Sequence, residues 1–410
     1  MTWSGTVPLE MLDTGQQSSS GNCLTTSIYL DPANYDGAVF YLEVVALRSS
    51  NPCYVQLYDL TNSAALLTDN AGNGIEVYAP GAATRRIRSG AFTPAAGKNK
   101  LCLKFSAVCL IYTARIIVVQ TNATKTRVQI PMFAEKHDAY GTMDAYFVEA
   151  RAATSYAQTT PMKYTWFPKT AGAFAALSGN CWTFEAVLAN ADAGATSYAT
   201  LYNVTDSATI TGAEVSKAGT AIDVVDVSIA DDAGNWHDGD RHEVYIKSSS
   251  ASYAARLLAA RLYVTLTSIT ALDVYHRISK ASSATAAQSM MSARGLFPLN
   301  SYSPAPGGVY YQLAGYCATN AAGPYLCSDT TNDVGVTGWA DVDSKNWNSA
   351  TKALYRSADL SLTDSRRYVS RTAATAGTDQ IGPGFIVVAC VGAATGCPKM
   401  TDHYARLRRG

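Results

Sequence analysis

Tyr54-Val55-Gln56-Leu57-Tyr58-Asp59-Leu60-Thr61-Asn62-Ser63-Ala64 returns 144 positions later as Tyr198-Ala199-Thr200-Leu201-Tyr202-Asn203-Val204-Thr205-Asp206-Ser207-Ala208. The match extends upstream. Phe40 opens FYLEVVAL, and Phe184, again 144 positions on, opens FEAVLANA, so the two copies align without a gap. A third, divergent copy reads YYQLAGYC from Tyr310 and SDTTND from Ser328. A fixed-period repeat means that the chain is built from similar units, and it points to an architectural or multivalent role.

The copies share their ends as well. ARIIVVQ (114–120) matches ARLYVTL (260–266), with FIVVACV (385–391) in the third place. Val7-Pro8-Leu9 resembles Ile130-Pro131-Met132 at the starts. These matches place boundaries near residues 122 and 268, giving units 1–122, 123–268 and 269–410. The chain's 410 residues fit three units of about 137 residues, each large enough for one core. Thr121 to Lys125 and Thr267 to Thr270 read as short linkers, so the units should touch, forming a semi-rigid rod or arc.

Within each unit the apolar residues alternate. Phe40, Leu42 and Val44 fall on one face, Tyr41 and Glu43 on the other. Leu101, Leu103 and Phe105 alternate with Cys102 and Lys104, and Val244 and Ile246 with Glu243, Tyr245 and Lys247. Period two with one dry and one wet face is the pattern of antiparallel sandwiches. Phe40, Leu42, Leu57, Phe184, Ala186 and Leu201 should point inward. Turn clusters such as Asp69-Asn70-Ala71-Gly72-Asn73-Gly74, Pro94-Ala95-Ala96-Gly97 and Asp231-Asp232-Ala233-Gly234 separate the strands. Ser282 to Arg294 is the best short helix candidate. Ala251 to Ala260, a weaker one, reads as the lead-in to a strand.

LYDLTNSA, then Arg88-Ser89-Gly90-Ala91-Phe92, then ARIIVVQ, resembles the jelly-roll or carbohydrate-binding-module-like β-sandwich repeats of secreted and virion structural proteins. The second unit keeps LYNVTDSA and ARLYVTL but lacks the Arg-Ser-Gly step. The third keeps Arg356-Ser357-Ala358-Asp359-Leu360. The fold class expected is all-β, as three tandem antiparallel jelly-roll-like sandwiches. The shared residues belong to strands and turns, so they speak to fold rather than chemistry.

Composition narrows the function. Charged residues are 16%, against a usual share of about 25%, and the formal net charge is zero. Such a surface is poor at keeping copies apart. It also lacks the basic stripe of a nucleic-acid binder. No apolar run is long enough for a membrane-spanning helix. The opening MTWSGTVPLEML has neither the basic start nor the apolar core of a secretory signal.

Nine cysteines occur without CxxC spacing. Cys102 with Cys109, and Cys390 with Cys397, stand close enough to face each other across hairpins. Buried thiols are the plainer reading. His237-Asp238-Gly239-Asp240-Arg241-His242-Glu243 is the one dense set of possible metal ligands, with His237, His242, Asp238 and Asp240 as candidates. It aligns with Pro94 to Lys100, so an exposed turn is the expected reading, with no catalytic residue, cofactor or metal. His137, His276 and His403 are isolated. Tyr54, Tyr58, Tyr198 and Tyr202 recur by repeat, which favours packing or one interface used twice. Tyrosine rings also stack on sugars, which supports a lectin-like alternative. Asn122-Ala123-Thr124 and Asn203-Val204-Thr205 match the glycosylation pattern.

The function expected is a non-enzymatic structural protein, most simply a phage virion component such as a capsid-decorating, collar or fibre subunit. An extracellular filament subunit is the close variant. Its partners would be copies of itself or other virion proteins, with a glycan in the alternative, and neither nucleic acid nor membrane.

Overall fold

The computed structural model describes residues 2–17, 27–48, 53–67, 75–77, 85–105, 109–130, 149–158, 164–166, 177, 179–231, 236, 240–267, 269, 271–278, 282–284, 288–289, 295–296, 302, 307–316, 323–329, 339–344, 353–363, 367–373, 379–381 and 384–391. Its regular structure is almost entirely β. The first stretch holds β1 (Trp3–Gln17), β2 (Ile28–Leu30), β3 (Ala38–Arg48), β4 (Cys53–Asp59), β5 (Ala64–Ala65), β6 (Ile75–Val77), β7 (Arg85–Phe92), β8 (Asn99–Phe105) and β9 (Cys109–Ala123). The second holds β10 (Thr126–Ile130), β11 (Glu149–Arg151), β12 (Ala157–Gln158), β13 (Tyr164–Trp166), β14 (Trp182–Asn190), β15 (Thr196–Asn203), β16 (Ala208–Thr209), β17 (Val215–Ala218), β18 (Asp223–Ile229), β19 (Arg241–Ser248) and β20 (Ala255–Leu266). The third holds β21 (Ala271–Arg277), β22 (Ser282–Ala284), β23 (Gln288–Ser289), β24 (Gly295–Leu296), β25 (Gly308–Tyr316), β26 (Gly323–Asp329), β27 (Trp339–Ser344), β28 (Ala353–Arg356), β29 (Arg367–Ala373), β30 (Asp379–Ile381) and β31 (Phe385–Val391).

These strands form six antiparallel sheets, two from each stretch, and the strand order repeats. β1-β9-β3-β7 lies with β2-β8-β4-β5/β6. β10/β11-β20-β14-β18 lies with β12/β13-β19-β15-β16/β17. β21-β31-β25-β28, extended by β30 and β22, lies with β23/β24-β29-β26-β27. Where a strand is broken, its pieces count once. Each pair then reads first-eighth-third-sixth and second-seventh-fourth-fifth. The helix candidate Ser282 to Arg294 is corrected: Ser282, Ser283 and Ala284 pair with Ile381, Gln380 and Asp379, and Gln288 and Ser289 with Thr372 and Arg371. Pairing along a sheet edge overrides the helix propensity of Ala284 and Gln288.

Phe40, Leu42, Leu57, Phe184, Ala186 and Leu201 are all buried. The gapless offset of 144 nevertheless holds only in part. It fits Leu57 with Leu201, and Ser63 (φ 53) with Ser207 (φ 55), the left-handed residues of matching turns. In the third strand the true offset is 142. The β3/β9 register slips between Val45 and Ala46, and the β14/β20 register between Val187 and Leu188. Glu43 lies opposite Arg115, as Glu185 lies opposite Arg261. Phe184 therefore stands where Leu42 does, and Trp182 where Phe40 does. Likewise Leu9 and Ile130 hold one place, opposite Ile116 and Leu262. Side chains alternate with period two, so a two-residue slip keeps every residue on its face.

The Arg-Ser-Gly step has a structural meaning. The β3/β7 register slips between Tyr41 and Glu43, and the Ser89 hydroxyl fills the gap by accepting from the buried Leu42 N–H at 2.9 Å. Ser357 does the same for Tyr311 N–H at 2.9 Å. β14 pairs with β18 without a slip, which is why the middle stretch has no such serine.

One expectation fails for the sheets built on β9 and β20. The face read as wet is covered along much of its length: Glu43, Glu10, Arg115, Glu185 and Arg261 are buried along with the apolar face. The cause is packing between stretches. β1, β10 and β21 touch one another pairwise, and the main apolar cluster runs continuously from Trp3 to Cys390. The chain closes on itself instead of extending as a rod or arc. Replacing Ser89 or Ser357 with Ala should cost about 1–3 kcal/mol each, because each leaves a buried N–H without an acceptor. Denaturant unfolding measures this.

Candidate functional site

The polar groups that bind the stretches together make the densest chemistry among the described residues. Arg261 on β20 is 1% exposed. Its Nη1 donates to Glu185 Oε1 at 3.0 Å and to Ser27 O at 3.3 Å, its Nε to Glu10 O at 3.0 Å, and its Nη2 to Met11 O at 3.0 Å. β1 offers the Glu10 and Met11 carbonyls because its register against β9 slips between Glu10 and Leu12, leaving Met11 outside the ladder. Glu185 also accepts from Tyr29 N–H at 3.1 Å and Tyr263 Oη at 3.3 Å. Burial pushes the Glu185 carboxyl above its usual range, and the charge of Arg261 works against that. Arg127 stacks over the Tyr263 ring at 4.1 Å. Around the rim, Lys98 pairs with Asp226 and Lys100 with Asp223.

Arg115 holds the equivalent place on β9. Its Nη1 lies 3.6 Å from Glu10 Oε1 and its Nε 3.5 Å from Glu43 Oε1. Its Nη1 donates to Arg277 O at 3.4 Å. By register, Arg277 stands opposite Phe385 as Glu10 stands opposite Arg115. Each arginine thus reaches the same backbone place on the opening strand of a neighbour. In the third stretch Phe385 occupies the arginine's place and meets Tyr275 edge-on at 6.4 Å. There Arg356 pairs with Asp273 at 3.1 Å.

A second contact joins β21 to β1. Tyr302 Oη donates to Thr6 O at 2.9 Å and also meets His276 Nε2. The Tyr302 ring lies 6.4 Å from that of Trp3. Gly5 makes room for both, since a Cβ there would sit 2.5 Å from Trp3 and 2.8 Å from Tyr302. His276, isolated in the sequence, is buried between the strands.

The proposed exposed turn at His237 to Glu243 is corrected where it is described. Asp240, His242 and Glu243 are buried, and β19 begins at Arg241. Asp240 Oδ2 accepts from Asn203 Nδ2 at 2.6 Å, and the His242 ring lies 5.2 Å from Trp236. These two are structural residues of a strand start. The other candidate ligands, His237 and Asp238, lie outside the described residues. Among the described residues no group of three His, Cys, Asp or Glu is placed to hold a metal.

Asp240 matches Asn99, not Gly97. In the first stretch Asn62 Nδ2 donates to Asp59 Oδ2 at 2.7 Å and to Asn99 Oδ1 at 2.9 Å. In the second, Asn203 Nδ2 donates to Asp206 Oδ2 at 2.8 Å and to Asp240. The same three-residue clasp closes both turns, with acid and amide exchanged.

The recurrent tyrosines are half-buried. Lys104 Nζ covers the Tyr58 ring at 3.2 Å. Tyr202 stacks on Tyr245 at 4.2 Å, and Lys247 Nζ lies over Tyr156 at 4.1 Å and Tyr198 at 4.9 Å. Cys102 is disulfide-bonded, while Cys181 and Cys390 are buried and stand in no disulfide. The hairpin pairing of Cys390 with Cys397 is therefore not formed. Burial pushes the Cys390 thiol up to about 12.

Arg115, Arg261, Glu43 and Glu185 were not singled out from the sequence. The signal was a matched arginine in each apolar closing strand, with a glutamate in the strand that neighbours it.

No family model matches the chain, and no curated protein matches it. Among solved structures, the tandem CBM22 domains of Paenibacillus barcinonensis Xyn10C are similar at TM-score 0.18 and 9% identity, covering 63% of this chain and 98% of that one. The infectious bursal disease virus VP2 subviral particle is similar at TM-score 0.17 and 9% identity, covering 98% of this chain and 86% of that one. At such scores neither likeness says anything about this chain.

Arg261→Met should destabilise the chain by about 3–5 kcal/mol, because it strands the Glu185 carboxylate in a buried place. The loss should shrink as pH falls. A lone buried carboxyl has a raised folded pKa, so its cost is relieved once it takes up a proton. Adding Glu185→Leu should restore much of the loss at neutral pH, as read from chemical denaturation.

Proposed function

We propose that the chain is three jelly-roll sandwiches, with boundaries near residues 122 and 268, closed into one module that serves as a non-enzymatic structural subunit. The best-fitting setting is a phage virion, as a capsid-decorating or collar component assembled in the host cytoplasm. The observation that carries the reading is the repeated clasp, in which Arg261 and Arg115 reach equivalent backbone places on neighbouring opening strands. The threefold recurrence of the first-eighth-third-sixth and second-seventh-fourth-fifth strand order supports the jelly-roll assignment. A module whose ion pairs are spent on internal closure is a rigid block. Compact closure suits a decorating or collar piece better than the shaft of a fibre or an extracellular filament.

Val39, Leu60 and Tyr253 are the large exposed hydrophobics among the described residues. Contacts between copies should therefore be largely polar, as at the rims of non-obligate interfaces. The carbohydrate-binding alternative draws on the repeated tyrosines. A sugar needs a free ring face, and lysines or a second ring already cover Tyr58, Tyr198 and Tyr202.

Sedimentation of the purified chain at micromolar concentration, alone and with native partner, paired with negative-stain microscopy, tests the reading. Rings, lattices or decorated shells are expected. A monomer under both conditions that binds a glycan panel would overturn it.

A further inference from the structure

We infer that His276 is an acid-sensitive latch between β21 and β1: the neutral ring, through Tyr302, holds the third stretch to the first, and protonation releases it. Tyr302 Oη gives its one proton to Thr6 O at 2.9 Å. Toward His276 it is then an acceptor, so Nε2 carries the ring's proton. A second proton would have to go to Nδ1, placing a cation in a buried junction.

The surroundings oppose that charge. Arg115 on β9 repels it and Glu43 on β3 attracts it. Glu43 is already shared between Arg115 and Arg88, which donates at 3.0 Å. Glu10 on β1 faces Arg115. On the latch's own strand, Arg277 adds a cation and Asp273 is held by Arg356. Tyr302 and the Cys390 thiol on β31 are kept neutral by burial. Burial, then Arg115, holds the His276 ring at about 3, below its usual 6.5.

The direction follows from that depression. A histidine whose folded pKa lies below its unfolded value leaves stability undiminished above pH 6.5. The stability then falls as pH drops from 6.5 towards 3. Opening of the junction should rise about tenfold per pH unit in that window, hence about 30-fold at pH 5.0 relative to neutral.

Hydrogen exchange of the full chain tests this, with rates corrected for intrinsic chemistry. Peptides covering Ala271–Arg277 and Trp3–Gln17 are compared at pH 7.5 and 5.0, with those covering Thr196–Asn203 as control. The expected result is about 30-fold greater opening at the lower pH for the first two peptides alone. His276→Gln should flatten that pH response. Tyr302→Phe should loosen the junction at both pH values while leaving the ratio between them unchanged, because the buried ring still titrates. A wild-type chain with no selective opening at pH 5.0 would overturn the proposal even if His276→Gln failed to fold. So would a His276→Gln chain as acid-sensitive as wild type.

Discussion

A single guanidinium with no access to water holds the architecture in place. Arg261 must satisfy its donors inside the protein, and it does so on Glu10, Met11 and Ser27 carbonyls and on the Glu185 carboxylate. Removing such a charge from water costs several kcal/mol, so the arrangement contributes less to net stability than to uniqueness. Any packing that shifted β1 by one residue would leave donors without acceptors. The bulge at Met11 and the placing of Ser27 just ahead of β2 both meet that demand.

The repeats are alike in backbone and unlike in charge. Arg115 and Glu43 correspond to Arg261 and Glu185, yet the third stretch has Phe385 and Gln312 in those places. Arg88 stands where the second stretch has Asp226. The turn clasp uses one acid in the first copy and two in the second. Three similar pairs of sheets in one chain could pair in several wrong orders. Charge exchange at matched places discourages this, because a misplaced neighbour meets like charge or an unanswered donor.

The sequence made the all-β class, the turns and the core-facing residues legible. Phe40, Leu42, Leu57 and Leu201 lie inward because alternation reports which face of a strand is apolar. It carries no information about what covers the other face. Glu43 therefore looked wet, and only packing against the other stretches buries it. Asp240 and His242 looked like turn residues by composition, but their place was decided by the Asn203 amide, 37 residues away, and by packing against the Trp236 ring. Ser282 to Ala284 read as helical because the edge they pair with lies about a hundred residues away.

The two-residue difference in offset between copies bears on how such chains change over generations. Two residues gained in the third strand or lost in the eighth leave inside residues inside, whereas one residue would turn the strand inside out. Lengths in these strands are therefore free to drift in even steps and held against odd ones. A comparison of relatives that scores every gap alike will pair Phe40 with Phe184 and miss that Trp182 is the true counterpart.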